Sequence, residues 1–145
     1  IIYVGGGNTK SMLAVWKEWK LDKLLFKAYN KGTVLAGVSA GAICWFDTGI
    51  TDSWASNLNY IDCLGILPGS CCPHYDSEKD RKPSVHKFIE HEKIKSVYAI
   101  EDGAAVHFVD DVPYKNISFF KNSKVFFVDK QNSIVQEKPQ KMVSI

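Results

Sequence analysis

Short, unbroken apolar runs separated by helical patterns are the feature that most constrains the fold of this sequence. Strands that are buried on both faces read as continuous apolar runs, and such runs here are Ile1–Val4, Thr33–Val38 and Ser96–Ile100. Helical stretches between such runs allow the strands to be parallel neighbours in one sheet. The chain of 145 residues suits one domain and is too short for two large ones. The sequence therefore predicts a single α/β domain over residues 1–145, with a mainly parallel sheet covered on both faces.

Local signals predict the remaining elements. Asn8 and Thr9 are candidate caps of a first helix, and the chain opens inside an apolar run, so we expect an N-terminal part of the fold to precede Ile1. The middle of the chain predicts further helices over Leu21–Asn30, Ala40–Phe46 and Pro83–Glu92, a loop over Asp47–Asp62, and a strand within Leu64–Cys72. Beyond Ala104, hairpins and an antiparallel extension are predicted from four short runs: Ala105–Val109, Ile117–Phe120, Lys124–Val128 and Ser133–Gln136.

Charge and composition exclude several classes of protein. The formal charge is only +2, so the chain lacks the basic surface typical of proteins that bind nucleic acid or anionic membranes. No apolar run approaches the ~20 residues that span a bilayer. The cysteines lack the Cys-x-x-Cys spacing of a structural zinc site and are expected to be free thiols in a reducing cytoplasm: Cys44, Cys63, Cys71 and Cys72. We expect a cytoplasmic protein with no nucleic-acid or membrane partner and no metal or organic cofactor.

The segment Gly-Val-Ser-Ala-Gly at positions 37–41 contains the first candidate catalytic residue. It has the pattern Gly-x-Ser-x-Gly and lies between a predicted strand and a predicted helix, where a sharp turn can expose a serine hydroxyl. The small residues Gly37, Ala40 and Gly41 permit the close packing that such a turn demands. The Ala40 N–H, at the start of the helix, would face a developing oxyanion. Ser39 is therefore a candidate nucleophile, and the alternative is that its hydroxyl only caps the following helix.

A serine nucleophile needs a histidine base and an acid that orients it. His74 follows a predicted strand directly after Pro73, whereas the other histidines lie on a surface helix or within a strand: His86, His91 and His107. Glu101 follows the strand Ser96–Ile100 in the same way. Since the carboxyl ends of parallel strands meet at one edge of a sheet, Ser39, His74 and Glu101 are predicted to converge there. Asp102 and Asp52 are competing acids, and strand alternation predicts that Asp102 points away from the site.

Four segments in order resemble the motifs of the serine peptidase family that contains peptidase E (aspartyl dipeptidase) and cyanophycinase. They are Ile-Tyr-Val-Gly-Gly-Gly-Asn-Thr, Gly-Val-Ser-Ala-Gly-Ala, Cys-Pro-His-Tyr and Ala-Ile-Glu-Asp-Gly, and the match extends over most of residues 1–109. The resemblance implies a flavodoxin-like sandwich similar to class I glutamine amidotransferases. It also implies Ser39 as nucleophile, His74 as general base, Glu101 as the orienting acid, and N–H groups of Gly7 and Ala40 as the oxyanion hole.

The resemblance further implies a function in peptide hydrolysis. We expect a serine-type peptidase that acts on short peptides, with a preference for an acidic (Asp) residue if Arg81 pairs with the substrate, as a basic residue after the histidine strand does in aspartyl dipeptidases. The alternative for Arg81 is a solvated loop of mixed charge. Two other functions stay open: an amidotransferase-like hydrolase that uses a cysteine such as Cys44, and a binding domain without catalysis. The sequence does not indicate an oligomeric state.

Overall fold

The computed structural model describes residues 1–145 and contains four helices and eleven strands. The helices are α1 (Thr9–Glu18), α2 (Leu21–Tyr29), α3 (Ala40–Ile43) and α4 (Arg81–Glu90). The strands are β1 (Ile2–Val4), β2 (Leu35–Gly37), β3 (Phe46–Thr51), β4 (Asn59–Asp62), β5 (Leu67–Cys72), β6 (Ser96–Ile100), β7 (Ala104–Val109), β8 (Val112–Ser118), β9 (Val125–Gln131), β10 (Ile134–Pro139) and β11 (Met142–Ser144). The prediction of a mixed α/β fold is confirmed.

The strands form three separate sheets. The largest has six strands in the order β10-β9-β6-β5-β3-β4, and in it β5 is parallel to both β3 and β6. Its other pairings are antiparallel, with β4 on one edge and the β9–β10 hairpin on the other. Strands β1 and β2 form a parallel pair of their own, and β7, β8 and β11 form the third sheet in the order β11-β8-β7. The predicted C-terminal hairpins and antiparallel extension are therefore confirmed.

The prediction of one parallel sheet that includes all three site strands is wrong. Strands β5 and β6, which precede His74 and Glu101, are neighbours, but β2, which precedes Ser39, pairs only with β1. The reason is that β3 occupies the edge of β5 beside which β2 would have to lie. The site residues consequently follow strands of two different sheets, and not one continuous edge.

The region around residues 44–62 also differs from the prediction. The helix expected over Ala40–Phe46 ends at Ile43, and the expected loop Asp47–Asp62 contains most of β3 and all of β4. Pairing with β4 and β5 holds the backbone of β3 extended, and Phe46 and Ile50 of this strand are buried in the core. The residues of β3 show no strict alternation of buried and exposed positions, so the period that identifies a half-buried strand is absent from the sequence.

Helices cover the sheets through apolar faces. Val85 and Ile89 of α4 pack with Ile50 and Val97 in the main core cluster. Leu13 of α1 and Leu25 of α2 belong to a second cluster with Trp45 and Cys44. The predicted cap Asn8 is confirmed, because its side chain accepts a hydrogen bond from the Ser11 N–H at the start of α1.

The state of the four cysteines agrees with the prediction of free, mostly buried thiols. All are free, three are buried (Cys44, Cys71 and Cys72), and Cys63 is partly exposed. None of the helices has both the length and the apolar character that crossing a membrane would require.

Candidate active site

Ser39 lies at a sharp turn between β2 and α3. Its backbone has φ 54° and ψ −118°, a conformation that L-residues rarely adopt and that is typically held by its surroundings. The hydroxyl makes no capping hydrogen bond to α3. The alternative function of Ser39 as a helix cap is therefore contradicted.

Two glycines allow this turn to form. A Cβ on Gly37 would lie 2.1 Å from the carbonyl oxygen of Gly41, and a Cβ on Gly41 would lie 2.1 Å from the carbonyl oxygen of Val4. Both distances are far below any real contact, so β1, β2 and α3 approach each other closely only because these positions lack side chains. The predicted need for small residues at Gly37 and Gly41 is confirmed.

The glycine triplet after β1 lies against the serine. A Cβ on Gly6 would be 3.4 Å from Ser39 Cβ and 3.8 Å from Ser39 Oγ, so a side chain at this position would contact the serine. Gly7 has φ 148°, in the region that favours glycine, and a Cβ there would meet no atom within 4 Å. The sequence indicated the triplet but not that Gly6 is the residue adjacent to Ser39.

His74 follows β5 in a short loop and also has a positive φ, of 56°. Its side chain is partly exposed, and Nδ1 lies 2.7 Å from Oδ1 of Asp102. The next residue fixes the loop to the end of β6, because the Tyr75 N–H donates to the carbonyl oxygen of Ile100 at 3.1 Å. A carboxylate on Nδ1 leaves Nε2 available to accept a proton, which is the arrangement a histidine base requires.

The acid that contacts His74 is Asp102 and not Glu101. Oε2 of Glu101 accepts a hydrogen bond at 2.7 Å from the backbone N–H of Lys124, which directly precedes β9. The Asp102 N–H donates to Oδ1 of Asp76 at 2.9 Å, so the chain turns toward the His74 loop at this residue. The prediction that Asp102 points away from the site is therefore wrong, because Asp102 contacts His74 and Glu101 is bonded to Lys124.

The surroundings of Asp102 favour its ionised form. The Ser77 hydroxyl and then His74 lower the pKa of the Asp102 carboxyl below its usual value, against the opposing effect of partial burial. A carboxylate that remains charged would stabilise an imidazolium at His74.

A single cleft connects these groups. It has a volume of about 950 Å³ and is lined by Ser39, His74, Glu101 and Asp102 together with residues of β2 and β7. Ser39 follows β2 of the β1–β2 sheet, whereas His74 and Asp102 follow β5 and β6 of the six-stranded sheet. No hydrogen bond joins Ser39 to His74. The only side chain that forms a hydrogen bond with His74 is Asp102.

Arg81 does not contribute to this cleft, contrary to the expected contact with substrate. It is buried at the first position of α4, where its Nη1 donates to the carbonyl oxygen of Ile50 and its Nε donates to Oε2 of Glu78, both at 2.8 Å. The bond to Ile50 fixes the start of α4 to β3, and the bond to Glu78 joins it to the preceding loop. A buried arginine is stable only with such partners, so its charge is used within the fold. The alternative of a solvated loop is also wrong for Arg81.

Contacts outside the Ser39–His74 pair engage His86, His107 and Cys44. His86 Nε2 lies 2.7 Å from Oε1 of Glu137, and His107 packs edge-on against Tyr114. Cys44 follows α3, fully buried, with its thiol directed at the carbonyl oxygen of Gly41. Burial raises the pKa of the Cys44 thiol well above its usual value, so the reactive thiolate is disfavoured.

Sequence reasoning missed Glu137 on β10, which lies beside the His74 loop. The Tyr75 hydroxyl, Lys82 Nζ and His86 Nε2 all contact its carboxylate. Burial opposes the ionisation of Glu137, but these hydrogen bonds outweigh it and lower the pKa of the carboxyl. No local motif marks Glu137, because its partners lie more than 50 positions away in the chain.

Comparisons with known proteins agree with the resemblance seen in the motifs. Over 128 residues the chain is 51% identical to the uncharacterized peptidase YgaJ of Bacillus subtilis, a match that covers 88% of this chain and 55% of that protein. It is 30% identical over 111 residues to the uncharacterized peptidase Lmo0363 of Listeria monocytogenes, covering 72% of this chain and 54% of that protein. It is 29% identical over 116 residues to peptidase E of Pasteurella multocida, covering 74% and 50%.

The chain thus spans about half the length of the curated relatives that it matches. The model of one protein family, peptidase family S51, matches residues 1–113, which include every element that contributes to the cleft. The resemblance inferred from the motifs is confirmed, and this chain belongs to peptidase family S51.

Proposed function

We propose that this chain provides the catalytic residues of a serine peptidase that hydrolyses peptide bonds in short peptides. The observation that carries the proposal is the strained turn at Ser39, whose hydroxyl is uncapped and lines the same cleft as His74. Strained backbone is retained where the surrounding structure requires it, and such positions cluster at active sites. Membership of peptidase family S51 supports this reading of the geometry.

In the proposed reaction, Ser39 Oγ attacks the substrate carbonyl and His74 takes the hydroxyl proton. His74 then returns a proton to the leaving amine, and water repeats the sequence to release the acyl group. Asp102 holds the imidazole through Nδ1. The resemblance implied Glu101 in this role, but its carboxylate is bonded to Lys124, so the geometry favours Asp102.

The oxyanion would be held by backbone N–H groups on both sides of Ser39. The Ala40 N–H lies at the first position of α3, where helical N–H groups have no acceptor within the helix. The glycine triplet, with Gly7 implied by the resemblance and Gly6 against Ser39 Oγ, is the second source. Each such donor typically contributes about 3 kcal/mol of transition-state stabilisation.

The proposal also covers the architecture, the cellular location and the side-chain preference. A flavodoxin-like sandwich remains our proposal for the architecture, within the mixed α/β fold. The four free thiols support a reducing, cytoplasmic location. A preference for acidic residues is not part of the proposal, because Arg81 is buried and the residues lining the cleft include no Lys or Arg.

Ser39→Ala tests the proposal. It should lower kcat/KM for short peptides by at least about a thousandfold and abolish labelling by a fluorophosphonate, because the remaining residues cannot form an acyl-enzyme. Ser56→Ala, at an exposed position in the loop between β3 and β4, is the matched control and should retain both activities. Retention of activity within tenfold by Ser39→Ala, with the circular dichroism spectrum unchanged, would exclude Ser39 as the nucleophile.

A further inference from the structure

Within residues 1–145, strands β7 and β2 each have one edge without a partner strand, and both strands line the cleft. Strand β7 is at the end of the β11-β8-β7 sheet, and β2 pairs on one side only, with β1. Every residue of β7 and of β2 lines the cleft. An unpaired edge presents a row of backbone N–H and C=O groups, which is a template for an added strand. The cleft is therefore suited to an extended peptide more than to a compact ligand.

The length of β7 indicates how much peptide the edge can hold. The strand has six residues, and at about 3.3 Å per residue it extends for roughly 20 Å. It begins directly after Glu101, Asp102 and Gly103, beside His74, and it ends at the Asp110–Asp111 turn. A peptide strand of about six residues, with its scissile bond near Ser39, would reach this turn.

The charges of the cleft are all of one sign, histidines aside. Its lining contains four acidic residues, Glu101, Asp102, Asp110 and Asp111, and no Lys or Arg. The chain has one arginine, Arg81, and that guanidinium is buried elsewhere. A cleft lined by charges of one sign raises the local concentration of the opposite sign. This lining favours a cationic ligand and repels an acidic one.

A hydrogen bond between α2 and the β7–β8 turn marks the end of the cleft that is remote from Ser39. The Tyr29 hydroxyl donates to Oδ1 of Asp111, so the end of α2 is joined to the β7–β8 turn. Asp110 is exposed in the same turn. Asp110 and the Asp111 oxygen that Tyr29 does not contact are the carboxylate oxygens at this end of the cleft, so they are in position to select a side chain.

We propose that the cleft binds an extended peptide as an added strand along β7, and that Asp110 and Asp111 select a Lys or Arg side chain at its end remote from Ser39. This inference rests on the proposed function, of which it names the substrate class. It predicts a preference opposite to that of an aspartyl dipeptidase.

Binding to the full chain with Ser39→Ala tests the charge preference independently of hydrolysis. Fluorescence anisotropy with labelled hexapeptides that differ only at the end remote from the scissile bond should give affinities in the order Lys, Ala, Asp. Each step should be about three- to tenfold at low salt, and should shrink above ~0.15 M salt because screening weakens exposed ion pairs. Equal affinities, or tighter binding of the Asp peptide, would overturn the proposal. If the parent protein does not hydrolyse peptides but the variant keeps this order of affinities, the proposed hydrolysis is refuted and the proposed charge preference stands.

The pair of substitutions Asp110→Asn and Asp111→Asn tests the residues assigned to selection. The ratio of the Lys-peptide to the Ala-peptide affinity should fall to nearly one. Glu18→Gln with Glu90→Gln removes the same charge at exposed sites outside the cleft and should keep the parent ratio. If both double variants change the ratio equally, the selection comes from net charge and the assignment fails.

Peptide N-methylation tests binding as a strand. Methylation of one peptide nitrogen at a time should weaken binding at every second position, because only alternate N–H groups of the peptide face β7. Extension from two to six residues should tighten binding progressively. Tolerance of methylation at all positions, or full affinity for a dipeptide, would exclude the added strand.

Discussion

The turns that carry Ser39 and His74 both have a positive φ at that residue but are held in different ways. Both follow a strand, with φ of 54° and 56°. The Ser39 turn is enclosed by backbone, where Gly37 and Gly41 leave no space for a Cβ. The His74 turn is held by polar contacts, from His74 to Asp102 and from the Tyr75 N–H to Ile100. The nucleophile is thus positioned by steric contact and the base by charge and hydrogen bonds.

This difference separates two kinds of sensitivity. A positive φ at a residue other than glycine costs on the order of 1–3 kcal/mol, which the surrounding structure must offset. Close backbone packing offsets it at Ser39 in a way that neither pH nor salt changes. At His74 part of the offset comes from carboxylates, whose contribution depends on their ionisation. We therefore expect volume changes to disrupt the serine side and charge changes to disrupt the histidine side.

Gly41→Ala should have the largest effect. The added Cβ would overlap the Val4 carbonyl oxygen, at 2.1 Å, and the Gly5 carbonyl oxygen, at 2.8 Å, so β1 must separate from α3. Overpacking against backbone of this severity should lower the free energy of unfolding by at least about 3 kcal/mol. Urea denaturation followed by circular dichroism measures the change.

Gly5→Ala is the matched control for steric contact. A Cβ there meets no atom within 4 Å, so the expected change in the free energy of unfolding is within about 1 kcal/mol. If Gly41→Ala is as stable as Gly5→Ala, the close approach of β1 and α3 does not hold the Ser39 turn, and the contrast between the two turns is lost.

Asp102→Asn should have the next largest effect, on catalysis rather than on stability. An amide cannot stabilise the imidazolium, so kcat/KM should fall by about a hundredfold or more, with little change in KM. Glu101→Gln keeps an oxygen that can accept from the Lys124 N–H, and its effect should stay below about tenfold. Peptide turnover by the two variants distinguishes the acids. A larger loss in Glu101→Gln would restore Glu101 as the orienting acid.

The serine turn could be predicted from sequence because its determinants are local. Gly37, Ser39 and Gly41 are within five consecutive positions between an apolar strand and a helix, so the motif itself encodes the close packing. His74 was likewise predicted from its place at the end of a strand. Local patterns of this kind specify backbone geometry without knowledge of the distant chain.

The acid and the sheet order could not be predicted because they depend on distant contacts. Glu101 is drawn away from His74 by the Lys124 N–H, which precedes a strand 23 positions later. The edge of β5 is taken by β3, a strand without clear alternation. Arg81 stands in a charged stretch of sequence, yet its guanidinium reaches the Ile50 carbonyl 31 positions earlier. Neither the hydrophobic alternation nor the motif spacing of the sequence predicts these contacts.

Glu137→Gln should have the smallest effect and sharpens the comparison on the histidine side. Glu137 accepts from Tyr75, next to His74, and also contacts Lys82 and His86, so the loss of its charge weakens the support of the loop. We expect the free energy of unfolding at pH 7 to fall by about 1–2 kcal/mol. Glu90→Gln, exposed on α4 and without an ion-pair partner, is the control and should change it by less than about 0.5 kcal/mol.

The pH dependence of this loss follows from the lowered pKa of Glu137. The folded-state pKa of Glu137 lies below the ordinary glutamate value of 4.5, so ionised Glu137 stabilises the fold fully above that pH. The contribution decreases as the pH falls through the folded-state pKa, since the folded protein then takes up the proton as well. The difference in unfolding free energy between the parent protein and Glu137→Gln should therefore be constant at neutral pH and disappear under strongly acid conditions. A difference that stays constant into acid would mean that Glu137 acts through packing, and that charge does not distinguish the histidine turn from the serine turn at this position.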